Sequence, residues 1–144
     1  MTTPSALSRP AEIPLRRRIA ARAAVALARM LAVLPPHRLR RVLAVLRRGA
    51  RPASYRQAKS ARDAVLAVSL ACLGPQGCLP RSLAVTLLCR MRGSWPTWCV
   101  GVRAMPPFGA HAWVEAGGEP VEENVPPGYF RRLIAVEPAG PARS

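Results

Sequence analysis

The chain contains few of the residues that cross-link small secreted proteins or build metal centres. Only four cysteines occur among its 144 residues, and there are two histidines. The cysteines are unevenly spaced and form no Cys-x-x-C pair. A disulfide scaffold and a zinc site are therefore not expected, and no cofactor is predicted. The length is sufficient for one domain whose hydrophobic core needs no such cross-links.

Acidic and aromatic residues are also scarce. Seven Asp and Glu stand against 22 Lys and Arg, which gives a net charge of +15, and aromatic residues make up 5% of the chain. The charge implies an acidic partner or surface. A platform for stacking bases needs more aromatic side chains than this, so nucleic acid is not the expected partner. Contact with a membrane surface is an alternative that we favour less.

No long run of apolar residues is free of charge. The longest, 19–34, contains Arg22 and Arg29, and charges near the middle of a membrane-spanning helix are costly. The N-terminus also lacks the unbroken apolar core of a secretory signal. We therefore expect a cytoplasmic protein without a membrane span.

The basic first half has the periodicity of helices. Three helices are predicted from apolar residues at helical spacing, over 15–34, 36–48 and 54–72. Their boundaries follow from Pro35-Pro36, from Gly49 as a stop and from Ser54 as an N-cap. The apolar residues on one side of the first helix are Ile19, Ala23, Ala26, Met30 and Val33.

The second half predicts one helix and then a series of strands. A helix over 78–91 begins with Pro80 in its first turn and is stopped by Gly93. Short β-rich runs follow at 98–102, 110–116, 119–125 and 131–136. Gly117-Gly118 is a hairpin signal between the middle two runs. Helices followed by an antiparallel meander indicate an α+β fold.

The same pattern predicts one domain over 13–137. It comprises a helical part (13–73) and a part with the fourth helix and the strands (74–137). Flexible tails are expected at 1–12 and 138–144.

Cys78 is the residue of this chain best placed to act as a nucleophile. It lies at the predicted start of a helix, where the helix dipole stabilises a thiolate and lowers the thiol pKa. The other cysteines fall inside apolar patterns and are expected in the core: Cys72, Cys89 and Cys99. His111, the only histidine of the second half, can serve as general base. The N–H of Cys78 is a candidate oxyanion donor, with the side chain of Gln76 as a secondary candidate.

A third side chain is expected to orient the imidazole of His111 from the next strand of the hairpin. If Gly117-Gly118 forms a two-residue turn, His111 lies opposite Asn124. If the loop has three residues, His111 lies opposite Glu123 instead. Glu123 and Asn124 therefore both remain candidates for this role.

Several runs of residues together resemble a known family. They are Gly77-Cys78-Leu79-Pro80-Arg81-Ser82-Leu83-Ala84, then Gly101-Val102, then Ala110-His111-Ala112-Trp113-Val114-Glu115 with Gly118. This combination resembles the leader peptidases of lasso-peptide biosynthesis. These are the stand-alone protease half of the split B protein, within the transglutaminase-like superfamily. The resemblance covers about residues 75–125.

The resemblance implies a papain/transglutaminase-like core, in which a Cys-bearing helix packs on a small antiparallel sheet, and a Cys-His-acid triad. Cys78 matches the nucleophile of the family and His111 its base. The acid of the family is usually an Asp twelve residues after the His, where this chain has Glu123. Glu has one methylene more than Asp, so the strand register or the rotamer must accommodate it, and Asn124 stays as the alternative.

The function implied by the resemblance is a cysteine endopeptidase that removes the leader from a ribosomally made lasso precursor peptide through a thioester. The implied partners are that precursor peptide, a separate leader-recognition protein and an ATP-using lasso cyclase. An acyltransferase with the same triad and a non-enzymatic, Arg-rich helical adaptor are the alternatives. We expect the arginines of the helices to form solvated faces, with an electrostatic dock for an acidic partner as the second interpretation.

Overall fold

The computed structural model describes residues 14–69, 77–106, 109–123, 125–126 and 128–139. Within these ranges the helices are α1 (Leu15–Leu31), α2 (Pro36–Leu46), α3 (Tyr55–Val68) and α4 (Cys78–Met91). The strands are β1 (Arg51–Pro52), β2 (Ser94–Trp95), β3 (Thr97–Arg103), β4 (Ala110–Ala116), β5 (Glu119–Pro120) and β6 (Phe130–Val136). Helices followed by a small antiparallel sheet confirm the α+β prediction.

The helix starts follow local sequence signals, but α1, α2 and α3 end earlier than predicted. Helix α3 ends at Val68, because its C-cap Ser69 is already extended. Ser54 caps α3 as expected: its Oγ accepts the N–H of Gln57, whose Oε1 accepts the N–H of Ser54. The last turn of α1 tightens, because the N–H of Leu34 bonds the carbonyl of Leu31 three residues back. At the end of α2, Gly49 adopts a left-handed conformation with φ 80° and turns the chain away.

The face of α1 that packs on the rest of the protein is not the one its large apolar residues mark. The predicted apolar side is exposed, with Ile19 at 60%, Met30 at 68% and Val33 at 81% of full exposure. The buried residues of α1 are Ala21, Ala24, Val25 and Ala28. Small side chains let α1 lie close against α3 and α4, so backbone proximity rather than side-chain size decided which face is buried.

Helix α4 is the centre of the fold. It packs against α1, α3 and β4, and every residue from 81 to 89 is buried. A helix enclosed on all sides has few polar side chains, and those it has must find partners. Ser82 does so: its hydroxyl accepts the indole N–H of Trp98 at 3.1 Å and donates to the carbonyl of Leu79 at 3.0 Å.

The main sheet has the strand order β5-β4-β3-β6, with every neighbouring pair antiparallel. A second, parallel pair of β1 and β2 was not predicted, because two-residue strands leave no periodicity in a sequence. Gly101 on β3 lies opposite His111 on β4. A Cβ at Gly101 would overlap the carbonyl oxygen of Arg131, at the point where the pairing of β3 with β6 shifts register.

The hairpin after β4 has the two-residue turn, one of the two alternatives considered, but not the predicted return strand. Gly117-Gly118 forms the turn, and Ala116 pairs with Glu119. The return strand over 119–125 is wrong, because β5 ends at Pro120. The N–H of Val121 still bonds the carbonyl of Val114 at 2.9 Å, and Glu122 then turns the chain away with a left-handed φ of 55°.

Some predictions fall on residues outside the described ranges. These include the tail at 1–12, most of the tail at 138–144, and residues 70–72, which were predicted to belong to the third helix. The domain boundaries therefore stay a prediction. Among the helices of the described ranges, none has the length and apolar character needed to cross a membrane.

Candidate active site

Cys78 is the first residue of α4, and it is half-buried. Gly77 is the N-cap and carries no side chain, so the cap residue places nothing over the helix end. The N–H groups of a first turn have no acceptor within the helix, and Pro80 has no N–H. The helix end therefore offers the N–H groups of Cys78 and Leu79 beside the thiol.

Strand β4 brings a histidine to this thiol. The side chain of His111 and the backbone of Ala112 both form hydrogen bonds with Cys78. The bond with His111 is the main reason that the pKa of Cys78 is lowered, and it outweighs the opposing effect of burial. The positive charge of Arg81 acts in the same direction.

Glu123 adds a third side chain to the hydrogen-bonded pair of Cys78 and His111. Its Oε1 lies 2.9 Å from Nε2 of His111, and the side chains of His111 and Glu123 are 19% and 13% exposed. Burial alone would lower the pKa of His111. Hydrogen bonds and charge interactions with Cys78 and Glu123 outweigh burial and raise that pKa to about 9. Because Glu123 occupies Nε2, Nδ1 is the ring nitrogen left for the thiol.

The two pKa shifts favour a thiolate–imidazolium pair near neutral pH. The pKa of Cys78 falls while that of His111 rises, so the proton shared by the pair belongs on the imidazole. The proton transfer expected of a general base is thus favoured before any substrate arrives. A thiolate is the reactive form of cysteine, and the site is arranged to hold one.

Of the two residues predicted to orient His111, Glu123 makes the contact. The chain leaves the sheet after Val121, whose N–H bonds the carbonyl of Val114, and Glu122 adopts a left-handed conformation with φ 55°. Glu123 therefore approaches the imidazole from outside the strand register, and this path accommodates its extra methylene. Asn124 lies outside the described residues.

Comparison with known families agrees with this geometry. Residues 21–135, well over half of the chain, match the family described as the transglutaminase-like superfamily. The chain belongs to the transglutaminase-like superfamily. Searches of curated proteins and of solved structures found no match. Membership fits an activity of the cysteine-protease or acyltransferase type.

Tyr55, which the sequence analysis did not select, anchors the acid of this transglutaminase-like domain. Its hydroxyl donates to Oε2 of Glu122 at 2.9 Å and accepts the N–H of Glu122 at 3.1 Å. Tyr55 is the first residue of α3, so the start of that helix holds the left-handed turn immediately before Glu123. Nothing in the local sequence marks Tyr55, because its partner is 67 residues away.

Two aromatic rings cover the imidazole. Phe130 stacks on His111 with ring centroids 4.4 Å apart, and Trp113 stacks with a centroid distance of 5.7 Å. Aromatic faces attract a cation, so this contact favours the imidazolium form of His111. Trp113 is part of the run that carries the family resemblance, whereas Phe130 was not predicted to belong to the site.

Two arginines lie within the protein next to the acid. Arg62 on α3 and Arg81 on α4 are 5% and 8% exposed, and both line a small cavity together with Glu123. Burial and the charge of Arg81 lower the pKa of Arg62, while the charges of Glu123 and Glu122 oppose this. Their positive charges lie beside the carboxylate that contacts His111. Arg81 belongs to the Cys-Leu-Pro-Arg-Ser run, but its position beside the acid was not predicted.

The other described cysteines are unsuited to the same chemistry. Burial raises the pKa of Cys89 to about 11 and that of Cys99 to about 12, which keeps both thiols protonated near neutral pH. Both lie in the interior, as predicted. Cys72 and Gln76 lie outside the described residues. Within the described ranges, His, Cys, Asp and Glu do not gather in groups of three that could hold a metal ion.

A cleft of about 740 Å³ opens beside Glu123. Aromatic side chains line part of it: Tyr55, Trp113, Tyr129 and Phe130. Four glutamates line it as well: Glu115, Glu119, Glu122 and Glu123. More than half of the seven acidic residues of the chain thus lie on one cleft, so its electrostatic character is opposite to that of the protein as a whole.

Proposed function

We propose that this transglutaminase-like domain is a cysteine endopeptidase that removes the leader from a ribosomally made lasso precursor peptide. The observation that carries the proposal is the hydrogen-bonded series from Cys78 through His111 to Glu123. The substrate class is supported by the runs around Cys78 and His111, which resemble the lasso leader peptidases.

In the first step, the thiolate of Cys78 attacks the carbonyl carbon of the scissile peptide bond. The carbonyl π electrons move to oxygen and form a tetrahedral intermediate with an oxyanion. The N–H groups at the start of α4, those of Cys78 and Leu79, are the proposed donors to this oxyanion. Such donors stabilise the charge as it develops.

In the second step, the imidazolium of His111 gives its proton to the departing amine, and the C–N bond breaks to leave a thioester on Cys78. His111, now neutral, takes a proton from water, and the hydroxide attacks the thioester carbonyl. Collapse of this intermediate releases the leader carboxylate, and the thiolate and imidazolium re-form. Glu123 stabilises the imidazolium and fixes the ring orientation throughout.

The cleft beside Glu123 suits a substrate segment of particular composition. Its glutamates repel acidic side chains, and the Tyr129 and Phe130 rings offer apolar and cation-binding surface. We propose that residues flanking the scissile bond occupy this cleft and are neutral, aromatic or basic.

The proposed protein partners are a leader-recognition protein and a lasso cyclase. Helix α1 supports such contacts, because Ile19 and Met30 are exposed on a side of the helix near Arg18 and Arg22. An apolar stripe beside positive charge suits a partner surface that combines apolar and acidic residues.

The test is to incubate the full chain with a precursor peptide and the leader-binding partner, and to analyse the products by mass spectrometry. Release of a leader with a free C-terminal carboxylate supports the endopeptidase. A leader joined to an added primary amine, formed in preference to hydrolysis, would instead indicate the acyltransferase. Binding of the precursor complex without any Cys78-dependent product would indicate the adaptor.

A further inference from the structure

A second cavity, of about 310 Å³, lies at the other end of α4. Cys89 is in its wall, eleven residues after Cys78 on the same helix, and so about 16 Å away along the helix axis. The residues that line the cavity come from α1, from the first turns of α3 and from the end of α4 and β2: Arg17, Arg56, Gln57, Ser60, Cys89, Arg92 and Ser94. Three are arginines and none is acidic.

Among the described residues, the lining of this cavity brings arginines together and contains no acidic side chain. Ser60 Oγ accepts a hydrogen bond from Nη2 of Arg17 at 3.2 Å and another from Nη1 of Arg92 at 3.4 Å. Burial and the charge of Arg17 lower the pKa of Arg92, which reflects this repulsion between two cations. The ion pairs seen within the described ranges involve other residues. Two guanidinium groups that share one neutral oxygen repel each other, and an anion placed between them would be attracted to both.

The remaining groups of the wall are donors or neutral. The side-chain oxygen of Gln57 is engaged by the N–H of Ser54, which leaves the NH₂ group as its donor. Ser60 has its own hydroxyl proton to give. Burial raises the pKa of Cys89 to about 11, so its thiol adds no negative charge. The positive end of the α3 dipole, at Arg56 and Gln57, also favours an anion.

We propose that this cavity binds a phosphate group, at a site separate from the proposed active site. Guanidinium groups match the oxygens of phosphate in a two-bond, planar geometry, and three of them, together with hydroxyl and amide donors, suit a doubly charged oxyanion. The volume leaves room for a diphosphate. The group can arrive as free inorganic phosphate or pyrophosphate or as part of a nucleotide, and the proposal does not depend on the peptidase activity.

The test measures binding of inorganic phosphate, pyrophosphate and ADP to the full chain by calorimetry, with chloride used to keep ionic strength constant. Thermal unfolding follows the same titrations, because a ligand that joins α1, α3 and the end of α4 raises Tm in a saturable way. Stronger binding of pyrophosphate than of ADP points to the free anion, and the reverse order points to a nucleotide. Either order supports a phosphate site.

Variants distinguish binding in this cavity from the non-specific attraction of anions to a chain with net charge +15. Arg92→Gln and Arg17→Gln are each expected to weaken binding at least about tenfold, since each removes a charged hydrogen-bond donor. Arg22→Gln, an exposed position on α1 outside the cavity, changes the net charge equally and is expected to leave binding unchanged. Circular dichroism confirms folding, and Arg17 provides a test at the exposed rim should Arg92→Gln fail to fold.

Two outcomes overturn the proposal. One is equal weakening by Arg22→Gln and by the cavity variants, which would mean that phosphate responds only to net charge. The other is the absence of saturable binding of all three anions at millimolar concentration.

Discussion

The two ends of helix α4 carry the same residue type in opposite chemical states. At the N-terminal end, the imidazole of His111 and the backbone of Ala112 stabilise the thiolate of Cys78 and lower its pKa. At the C-terminal end, burial without a comparable partner raises the pKa of Cys89 to about 11. The reactivity of a thiol at a helix end therefore depends on which groups other elements bring to it, in addition to the helix itself.

The helix dipole contributes to the difference but does not account for it. The dipole lowers the pKa of a thiol at the positive N-terminal end and raises it at the C-terminal end, in each case by a modest amount. For Cys78, the hydrogen bond with His111 is the larger cause, and it requires β4 to lie beside α4. If these contacts from β4 make Cys78 reactive, changes at the N-terminal end of α4 should affect catalysis, whereas equivalent changes at its C-terminal end should not.

The largest expected effect is that of removing the nucleophile. Cys78→Ala should lower the rate of leader cleavage at least about 10³-fold, because no thioester can form. Cys89→Ala, at the other end of the same helix, should leave the rate nearly unchanged. Cleavage is measured by mass spectrometry with precursor and partner present. Equal losses in the two variants would remove the distinction between the two ends.

Selective alkylation should show the same contrast without a substrate. At pH 7, iodoacetamide should modify Cys78 at least about 10²-fold faster than Cys89 or Cys99, since each pKa unit changes the thiolate fraction about tenfold. Modification of Cys78 should persist below pH 9.0, the ordinary pKa of a thiol. Peptide mapping assigns the label, and His111→Ala should slow it. Labelling of Cys89 at the same rate as Cys78 would contradict the pKa contrast.

Removing the charge of the acid should have the next largest effect. Glu123→Gln is expected to lower kcat/KM about 10²-fold, because the imidazolium of His111 loses its counter-charge. Glu123→Asp keeps the charge and should lose less. Asn124→Ala serves as the control and should retain activity. A larger loss in Asn124→Ala than in Glu123→Gln would transfer the orienting role to the amide.

The strand that delivers His111 depends on a glycine. Gly101→Ala should lower the free energy of unfolding by about 1–3 kcal/mol, the usual cost of a forced clash, because the new Cβ would overlap the carbonyl oxygen of Arg131. Gly109→Ala is the matched control, since a Cβ there meets no atom within 4 Å. Denaturant unfolding measures both variants. Equal stability would show that β6 can shift to make room.

The smallest expected effect concerns the anchor of the acid. Tyr55→Phe removes the two hydrogen bonds to Glu122 and should lower kcat/KM by about threefold to tenfold. A less firmly held Glu123 supports the imidazolium less, so the pKa of His111 should fall from about 9. The alkaline limb of the pH–rate profile should then move to lower pH. An unchanged limb would mean that Tyr55 does not act through the acid.

The local features of the fold were predictable because their signals are local. The Ser54 cap, the extent of α4 and the Gly117-Gly118 turn each rest on residues within one turn of the feature. The length of the return strand after that turn was not predictable, because it depends on the path that the chain takes after Pro120. The prediction of the buried face of α1 was also wrong, since close approach of neighbouring helices favoured its alanines over its larger residues.

The residues of the site likewise include some that local signals predicted and some that they did not. Cys78 and His111 were selected because a thiol at a helix start and a histidine opening a strand are visible along the chain. The choice between Glu123 and Asn124 stayed open, because it depends on a left-handed residue at position 122. Tyr55, Phe130 and Arg62 were missed, since each acts on the site from an element distant in sequence.

Local sequence signals set the order of helices and strands, the location of a thiol at a helix start and the excess of positive charge, because spacing, caps and composition act within short distances along the chain. Packing between segments tens of residues apart set the rest: that the imidazole meets that thiol, which carboxylate supports the imidazole, and that three arginines share one cavity. Such contacts stabilise the protein only after those segments have come together, so no local pattern predicts them.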